Sequence, residues 1–209
     1  MKNKIYNIIL TVLGIAFVIT IVLIAIKYGG NQIKEEKLQE VVSEVKTQIE
    51  NIKQSEKSDT KKVEVEYNGY NIVGIIKIPT INIEYPIIDK TSDKAMEVAI
   101  TRFWGNNVND IGNLTMAGHN YLDGTMFGKT KKLNIGDKIE MTDLTGKTIE
   151  YAIFSKYVID PNDVECVKSV QGNTREITLL TCTNGRSNRL VIKAREIIWK
   201  RGHQNEIRT

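Results

Sequence analysis

A cysteine and an arginine close together in the chain are the residues best suited to nucleophilic chemistry. Cys182 ends one apolar run and Arg189 opens the next within the stretch ITLLTCTNGRSNRLVIK, residues 177–193. Runs rich in Ile, Leu, Val and Thr on either side of a short polar connector predict two strands joined by a loop. A nearby positive charge favours thiolate over thiol, so Cys182 is a candidate nucleophile. Arg186, inside the connector, is the alternative cation, but a turn holds it less rigidly.

A nucleophilic cysteine also needs a partner that sets its protonation and returns a proton to the leaving group. The chain has two histidines. His119 follows an apolar run and Gly118 and opens a loop, so it can face the same end of a β structure as Cys182. His203 lies in a charged tail, where we expect an ordinary solvated side chain. The residue types therefore suggest a site built from His119, Cys182 and Arg189.

Composition narrows the possible classes of protein. The net charge is only +4 over 209 residues, and Lys and Arg are mixed with Glu and Asp, which argues against a nucleic-acid partner. The two cysteines form no CxxC pair and the histidines are not clustered, so we expect no zinc or other metal and no cofactor. A disulfide between Cys166 and Cys182 is the alternative to a reactive thiol if the domain is extracellular.

An uncharged apolar segment, residues 5–26, is the clearest signal in the sequence. As a helix rising about 1.5 Å per residue it would cross a hydrocarbon core of about 30 Å. A cleavable signal peptide is the competing interpretation, since Lys2 and Lys4 precede the run, but no small-residue cleavage site follows it. We expect residues 1–4 to form a cytoplasmic tail, residues 5–26 an uncleaved single-pass anchor, and the rest to be extracellular.

Residues 27–67 are rich in Lys, Glu, Gln, Asn and Ser and predict a helical stalk and linker that lifts the next domain off the bilayer. Apolar residues recur there at steps of three and four, which places them on one helical face. They are Leu38, Val41, Val42, Val45, Ile49 and Ile52. A coiled-coil dimer is the alternative, although fewer than three clean heptads support it. The polar run 54–62 predicts a linker.

Residues 68–209 predict a mostly β domain. Residues 72–88 suggest two strands around Pro79 and Pro86, and residues 91–102 a short helix capped by Thr91 or Ser92. A buried strand at 113–117 would deliver His119. Further strands are expected at 138–142, 148–159 and in the 177–193 stretch. Many short strands with few helices indicate a closed or nearly closed β-barrel.

Three motifs in this domain resemble those of sortases, the membrane-anchored cysteine transpeptidases of Gram-positive bacterial surfaces. Residues 178–182, TLLTC, match the family's TLxTC signature. Residues 117–120, AGHN, resemble its histidine motif, and residues 189–191, RLV, its arginine strand. Their order and the N-terminal anchor also agree, and the resemblance covers residues 70–198.

The resemblance implies a closed eight-stranded β-barrel with short helices and a transpeptidase reaction at a surface protein's LPxTG-like sorting signal. Cys182 would form a thioacyl-enzyme, His119 would act as general acid and then base, and Arg189 would hold the substrate or the oxyanion. Thr181 and Asn120 are expected to bind or position the substrate. The implied partners are sorting-signal proteins and a cell-wall precursor or peptidoglycan amine, and the implied location is the cell membrane.

The sortase subclass and two other functions stay open. Residues 123–127, DGTMF, resemble class B, whereas the short connection between Ile159 and Glu176 resembles class D or class A. No acidic calcium site of the class A type is evident. The same three residues would also serve a membrane-anchored cysteine peptidase that hydrolyses the intermediate. A non-enzymatic barrel that binds a partner and uses Cys182 structurally is the third reading.

Overall fold

The computed structural model describes residues 2–54, 64–168, 172–183, 185, 187–198 and 206–207. Residues 55–62 of the linker predicted at 54–62, the alternative cation Arg186 and the tail residue His203 lie outside these ranges. The chain divides into two compact units, Met1–Lys37 and Leu38–Thr209.

The first unit contains the apolar part of helix α1, which spans Lys2–Gln54. Within it Lys4–Ile26, 23 residues, is long and apolar enough to cross a membrane. The residues of this segment are exposed along its whole length. By length and composition this helix is compatible with the expected anchor.

The second unit is built mainly of strands. Their bounds are β1 Val65–Tyr67, β2 Tyr70–Ile78, β3 Ile83–Ile88, β4 Ile100–Trp104, β5 Gly112–Ala117, β6 Lys138–Asp143, β7 Thr148–Ile159, β8 Arg175–Thr183, β9 Asn188–Ile198 and β10 Glu206–Ile207. A short helix, α2, spans Asp93–Val98, and 3₁₀ turns lie at Pro79–Ile81, Thr130–Lys132 and Glu165–Val167.

Eight of these strands close into a barrel in the order β2-β3-β4-β5-β8-β9-β7-β6, with β6 pairing back to β2. Strand β1 adds to β2 and β10 adds to β9. The β3–β4 and β5–β8 pairs are parallel, and the other barrel pairs are antiparallel. The predicted closed eight-stranded, mostly β fold with short helices is therefore confirmed.

Alternation along the strands divides the barrel into a filled interior and an outer face. On β8, Ile177 and Leu179 join the main buried cluster, and on β9 Leu190 and Ile192 do the same. Residues between them therefore point to the outer face. This alternation between interior and outer face decides on which face of the barrel the reactive side chains lie.

The last turns of α1 are part of the barrel domain's core. Five of the six residues predicted to share a helical face are each no more than 6% exposed, namely Leu38, Val41, Val42, Val45 and Ile49. The sixth, Ile52, has a side chain outside the described set. Beside this face Lys46 Nζ lies 2.7 Å from Glu84 Oε1, and Gln39 Nε2 donates to the Glu84 carbonyl at 3.0 Å.

This packing differs from the stalk expected at 27–67, because the second compact unit already begins at Leu38. The barrel that this helical face covers explains why its residues are apolar. Burying one such aliphatic side chain contributes about 1.5–3 kcal/mol, far more than a solvated stalk would gain.

The helix predicted at 91–102 is shorter than expected. The Ser92 hydroxyl caps it by accepting from Ala95 N at 3.1 Å, as predicted. The helix stops at Val98, and Ile100 begins β4, so the prediction was wrong for its last residues. β-branched residues favour the strand here because β3 and β5 offer pairing on both sides.

Candidate active site

The nucleophile candidate and the arginine are directly opposite on neighbouring strands. Cys182 pairs with Arg189 in the antiparallel register of β8 and β9. Both alternate with core residues and so lie on the outer face, where directly opposite residues have Cβ atoms roughly 5 Å apart. Both side chains are partly buried. A thiol and a guanidinium thus share one small surface at the barrel's edge.

The parallel pairing of β5 with β8 brings the histidine to the same edge. The ladder ends with Ala117 opposite Leu180, and Gly118 N donates to the Leu180 carbonyl at 3.3 Å. Thr181 Oγ1 then donates to the Gly118 carbonyl at 2.7 Å. Residues 118–120 therefore run alongside residues 180–182, and His119 is partly buried there.

The loop that follows His119 is fastened to the nucleophile's strand. Asn120 Nδ2 donates to the Cys182 carbonyl at 2.8 Å. The His119 carbonyl accepts from Phe127 N at 2.9 Å, and the His119 ring lies 5.1 Å from the Tyr121 ring at a tilt of 48°. The histidine is therefore held both at its backbone and at its ring.

Gly118 is required by packing at this point. A Cβ at Gly118 would come within 2.8 Å of the Phe127 ring. Phe127 is fully buried, so it has little room to move. The glycine before His119 lets the loop fold back closely over the strand end.

Arg189 lies between two long strands. It pairs with Cys182 on one side and with Ile159 of β7 on the other. Its Nη1 donates to the Asn188 carbonyl at 3.2 Å, and Asn188 Nδ2 donates to the Ile159 carbonyl at 3.4 Å. Such a central position holds the base of the side chain more rigidly than a turn does.

The connection between β7 and β8 covers the outer face beside the site. Cys166 is 2% exposed and packs with Ile159 and Val191. Both cysteines are free, so the alternative disulfide is not formed. Burial raises the pKa of the Cys166 thiol above its ordinary value. Of the two thiols, Cys182 is therefore the one suited to reaction.

Asn113 is a buried residue of this region that no sequence motif indicates. Its Nδ2 donates to the Cys166 carbonyl at 3.1 Å and to the Lys168 carbonyl at 3.3 Å. Its Oδ1 accepts from Thr178 Oγ1 at 2.8 Å. An amide used by three partners ties the connection to the strand that ends at Cys182. A single asparagine in an apolar run carries no sequence signal for such a role.

No cluster of three or more His, Cys, Asp or Glu side chains suited to a metal occurs among the residues that the structure describes. A groove of about 710 Å³ lies along β4, lined by residues from Asp89 to Thr91 and from Arg102 to Asn106. It includes none of His119, Cys182 and Arg189.

The structure brings the three predicted reactive residues to one edge of the barrel. The side chains of Thr181 and Asn120 bond to backbone carbonyls of the site itself, at Gly118 and Cys182. Their expected contacts with substrate stay predictions. Arg186, the alternative to Arg189, falls outside the described residues.

A family model described as "Sortase domain" matches residues 76–197, which is more than half of the chain. The chain belongs to the sortase family. Sortases are cysteine transpeptidases that act on surface proteins, and this chain is therefore an enzyme of that class. The matched range includes the three candidate residues His119, Cys182 and Arg189.

Curated sortases align over much of the chain. Sortase A of Bacillus anthracis is 28% identical over 163 residues, covering 68% of this chain and 76% of that protein. Sortase A of Listeria monocytogenes is 33% identical over 119 residues, covering 56% of this chain. The match spans 51% of the Listeria protein, about half its length.

Solved sortase structures share the fold. The Clostridium perfringens Sortase D5 transpeptidase superposes with a TM-score of 0.61 at 26% identity, covering 79% of this chain and 99% of that one. Sortase A from Corynebacterium diphtheriae gives a TM-score of 0.57 at 24% identity and covers 64% of each chain. The sortase barrel therefore accounts for the architecture described above.

Proposed function

We propose that this sortase cleaves an LPxTG-like sorting signal and transfers the surface protein to a cell-wall amine. The observation that carries the proposal is the direct cross-strand pairing of Cys182 with Arg189 beside the loop of His119. A nucleophile, a fixed cation and a proton-transfer group at one barrel edge are the parts that acyl transfer needs.

In the first half-reaction, the Cys182 thiolate attacks the carbonyl carbon of the threonine in the sorting signal. The Thr–Gly amide bond breaks, and the imidazolium of His119 gives its proton to the departing glycine amine. The product is a thioester between Cys182 and the threonine carbonyl. Splitting the exchange of one amide for another into two steps is the benefit of covalent catalysis.

In the second half-reaction, the amine of a cell-wall precursor or of peptidoglycan attacks the thioester. His119, now neutral, takes the proton from that amine, and the Cys182 thiolate leaves. The surface protein is then joined to the wall by a new amide bond. Both steps use the same histidine in opposite directions.

Arg189 supplies positive charge where negative charge develops. Each half-reaction passes through a tetrahedral species with an oxyanion, and a preorganised cation stabilises that charge more than it stabilises the substrate. Asn188 and the two flanking strands restrict the base of the Arg189 side chain. Thr181 and Asn120 are proposed to position the reacting groups through the backbone of the site, by bonding to the carbonyls of Gly118 and Cys182.

The proposed location is the cell membrane, with a cytoplasmic tail at residues 1–4, a single anchor at residues 5–26, a helical and linker segment at 27–67 whose residues 38–49 pack in the core of the domain that follows, and an extracellular catalytic domain at 68–209. The apolar helix Lys4–Ile26 supports the anchor. Protease added to intact cells tests the orientation. Digestion of the barrel domain is expected, and protection of that domain until the cells are lysed would contradict it.

The test of the reaction is a peptide library with LPxTG-like members, incubated with the full chain in detergent and with triglycine or a diaminopimelate-containing amine. Mass spectrometry of the products is the readout. A ligated peptide is the expected product. Cleavage without ligation would instead support a hydrolysing cysteine peptidase, and no adduct at Cys182 with any peptide would support a binding module.

A further inference from the structure

The loop of residues 119–128, which carries His119, is fixed at two separate points. One point is the backbone of the nucleophile, and the other is the interior of the barrel. Asn120 makes the first attachment and Tyr85 the second.

Asn120 extends the pairing of two strands beyond their last ladder position. The parallel register of β5 and β8 ends at Ala117 and Leu180. Asn120, three residues beyond Ala117, donates from Nδ2 at 2.8 Å to the carbonyl of Cys182, two residues beyond Leu180. Asn120 itself is exposed, so this bond adds little to the stability of the fold. Its effect is to set the distance between the loop and the strand that bears the thiol.

Tyr85 anchors the same loop from the interior of the barrel. Tyr85 lies on β3 and is 1% exposed, and its hydroxyl accepts from Met126 N at 3.2 Å. Met126 has a φ of +51° and forms an isolated bridge with Asn120. A non-glycine residue in the left-handed region costs roughly 1–2 kcal/mol and persists only where its surroundings hold it. The buried hydroxyl of Tyr85 is such a support.

These contacts form one continuous chain from the core to the nucleophile. Tyr85 holds Met126, Met126 bridges to Asn120, and Asn120 holds Cys182. His119 precedes Asn120 and receives a hydrogen bond from Phe127, the residue after Met126. The backbone of His119 therefore lies within one connected set of contacts, here called the bracket, which is made by Tyr85, Met126, Phe127 and Asn120.

We propose that Asn120 and Tyr85 are positioning residues for acyl transfer, acting through this bracket to hold His119 at a fixed distance from Cys182. The inference rests on the proposed function and deepens it. Binding of the donor peptide does not depend on where the histidine delivers its proton, so the proposed role is in kcat rather than in KM. A displacement of about 1 Å at a reacting group can cost up to about 100-fold in rate.

The experiment compares two variants with two matched controls in the full chain. Tyr85→Phe removes one buried hydroxyl. Its control, Tyr151→Phe on β7, removes another buried hydroxyl, which donates to Asn109 Oδ1 at 3.2 Å. Asn120→Ala removes an exposed amide bonded to a carbonyl, and its control Asn106→Ala removes one bonded to the Ile111 carbonyl at 2.8 Å.

Each test variant is expected to lower kcat about tenfold while KM for the donor peptide stays within about twofold of the wild type. Both controls are expected to keep kcat within about twofold, even where Tyr151→Phe lowers the melting temperature. The double variant Tyr85→Phe/Asn120→Ala should be no slower than the slower single variant, since residues that act through one element do not add.

Hydrogen exchange gives a readout that needs no turnover. The amide of Phe127, bonded to the His119 carbonyl, should exchange at least about fivefold faster in both test variants than in the wild type. An unchanged rate there overturns the inference, as do kcat values within twofold of the wild type, a loss confined to KM, or additive effects in the double variant. A wild-type chain that transfers no peptide refutes the proposed function. The exchange rates then still test whether Asn120 and Tyr85 hold the loop that carries His119.

Discussion

The last turns of α1 provide a matched pair of substitutions that tests whether this helix belongs to the catalytic domain. Ile49 and Ile33 lie on the same helix, but Ile49 is 4% exposed and Ile33 is 57% exposed. Changing each to Ala removes the same atoms and changes helix propensity by the same amount. Any difference in stability between the two variants therefore reports the packing of Ile49.

The size of the effect follows from the atoms removed. Ile49→Ala takes three buried carbons from the core, at about 0.8 kcal/mol each, and leaves a cavity that adds to the loss. The expected loss is about 3 kcal/mol of unfolding free energy. For a domain of this size that corresponds to a melting temperature lower by about 6–12 °C. Ile33→Ala should stay within about 0.5 kcal/mol of the wild type.

The assay is differential scanning calorimetry of the full chain in detergent, with the barrel transition as the signal. A shift for Ile49→Ala and none for Ile33→Ala is the expected pattern. A melting temperature for Ile49→Ala within about 2 °C of the wild type would show that the helix is a stalk that the domain does not need, and the reasoning from burial would be wrong.

Three further outcomes follow from the site. Arg189→Lys should lower kcat/KM at least about 100-fold, because a point charge does not reproduce the guanidinium fork. Iodoacetamide should modify Cys182 and spare Cys166, because the raised pKa and burial of Cys166 leave less accessible thiolate at any given pH, which peptide mapping measures. Thr181→Val should lower kcat about tenfold while Thr181→Ser keeps it within threefold, because only serine retains the hydroxyl that bonds to the Gly118 carbonyl.

Each of these outcomes has a result that contradicts it. Near-normal rates in Arg189→Lys would move the cation's role to another residue, and Arg186→Lys is the control that identifies it. Labelling of Cys166 at the same rate as Cys182 would show that the Cys166 thiol is not buried. Equal activities for the valine and serine variants would remove the Thr181 hydroxyl from the account.

The pairing of Cys182 with Arg189 could be predicted from the sequence because it is local. Two apolar runs joined by a short connector can hardly avoid an antiparallel pair, and such a pair puts the end of one strand opposite the start of the next. The position of His119 could not be derived in this way. It depends on the parallel pairing of β5 with β8, whose residues are far apart in the chain, so its place at the end of an apolar run and the resemblance to sortases suggested the position without establishing it.

The helical face at residues 38–49 was predicted correctly from its period, yet its partner was not. Periodicity indicates that a face is buried without indicating what covers it. The hydrophobic pattern of a stalk and that of a helix packed on a barrel are the same. Only the three-dimensional structure, in which Val45 is fully buried in the barrel's main cluster, separates them.

The boundary between α2 and β4 and the bonds of Asn120 were missed for a related reason. Residues 91–102 contain a good cap at Ser92, and the capping rule sets where a helix begins but not where it ends. Tertiary pairing with β3 and β5 decided the end. Asn120 likewise has no local sequence signal for a bond to Cys182, because its acceptor is 62 residues away.

Acylation of Cys182 by the sorting signal is the step on which the proposed function depends. The most direct measurement is the intact mass of the full chain, quenched within a single turnover after an LPxTG-like donor peptide is added without an amine. We expect an added mass equal to that of the donor's acyl group ending in threonine, which replaces the thiol hydrogen. This mass should map to Cys182, disappear when triglycine is supplied and be absent from Cys182→Ala. An adduct on Cys166, or peptide turnover by Cys182→Ala, would contradict it.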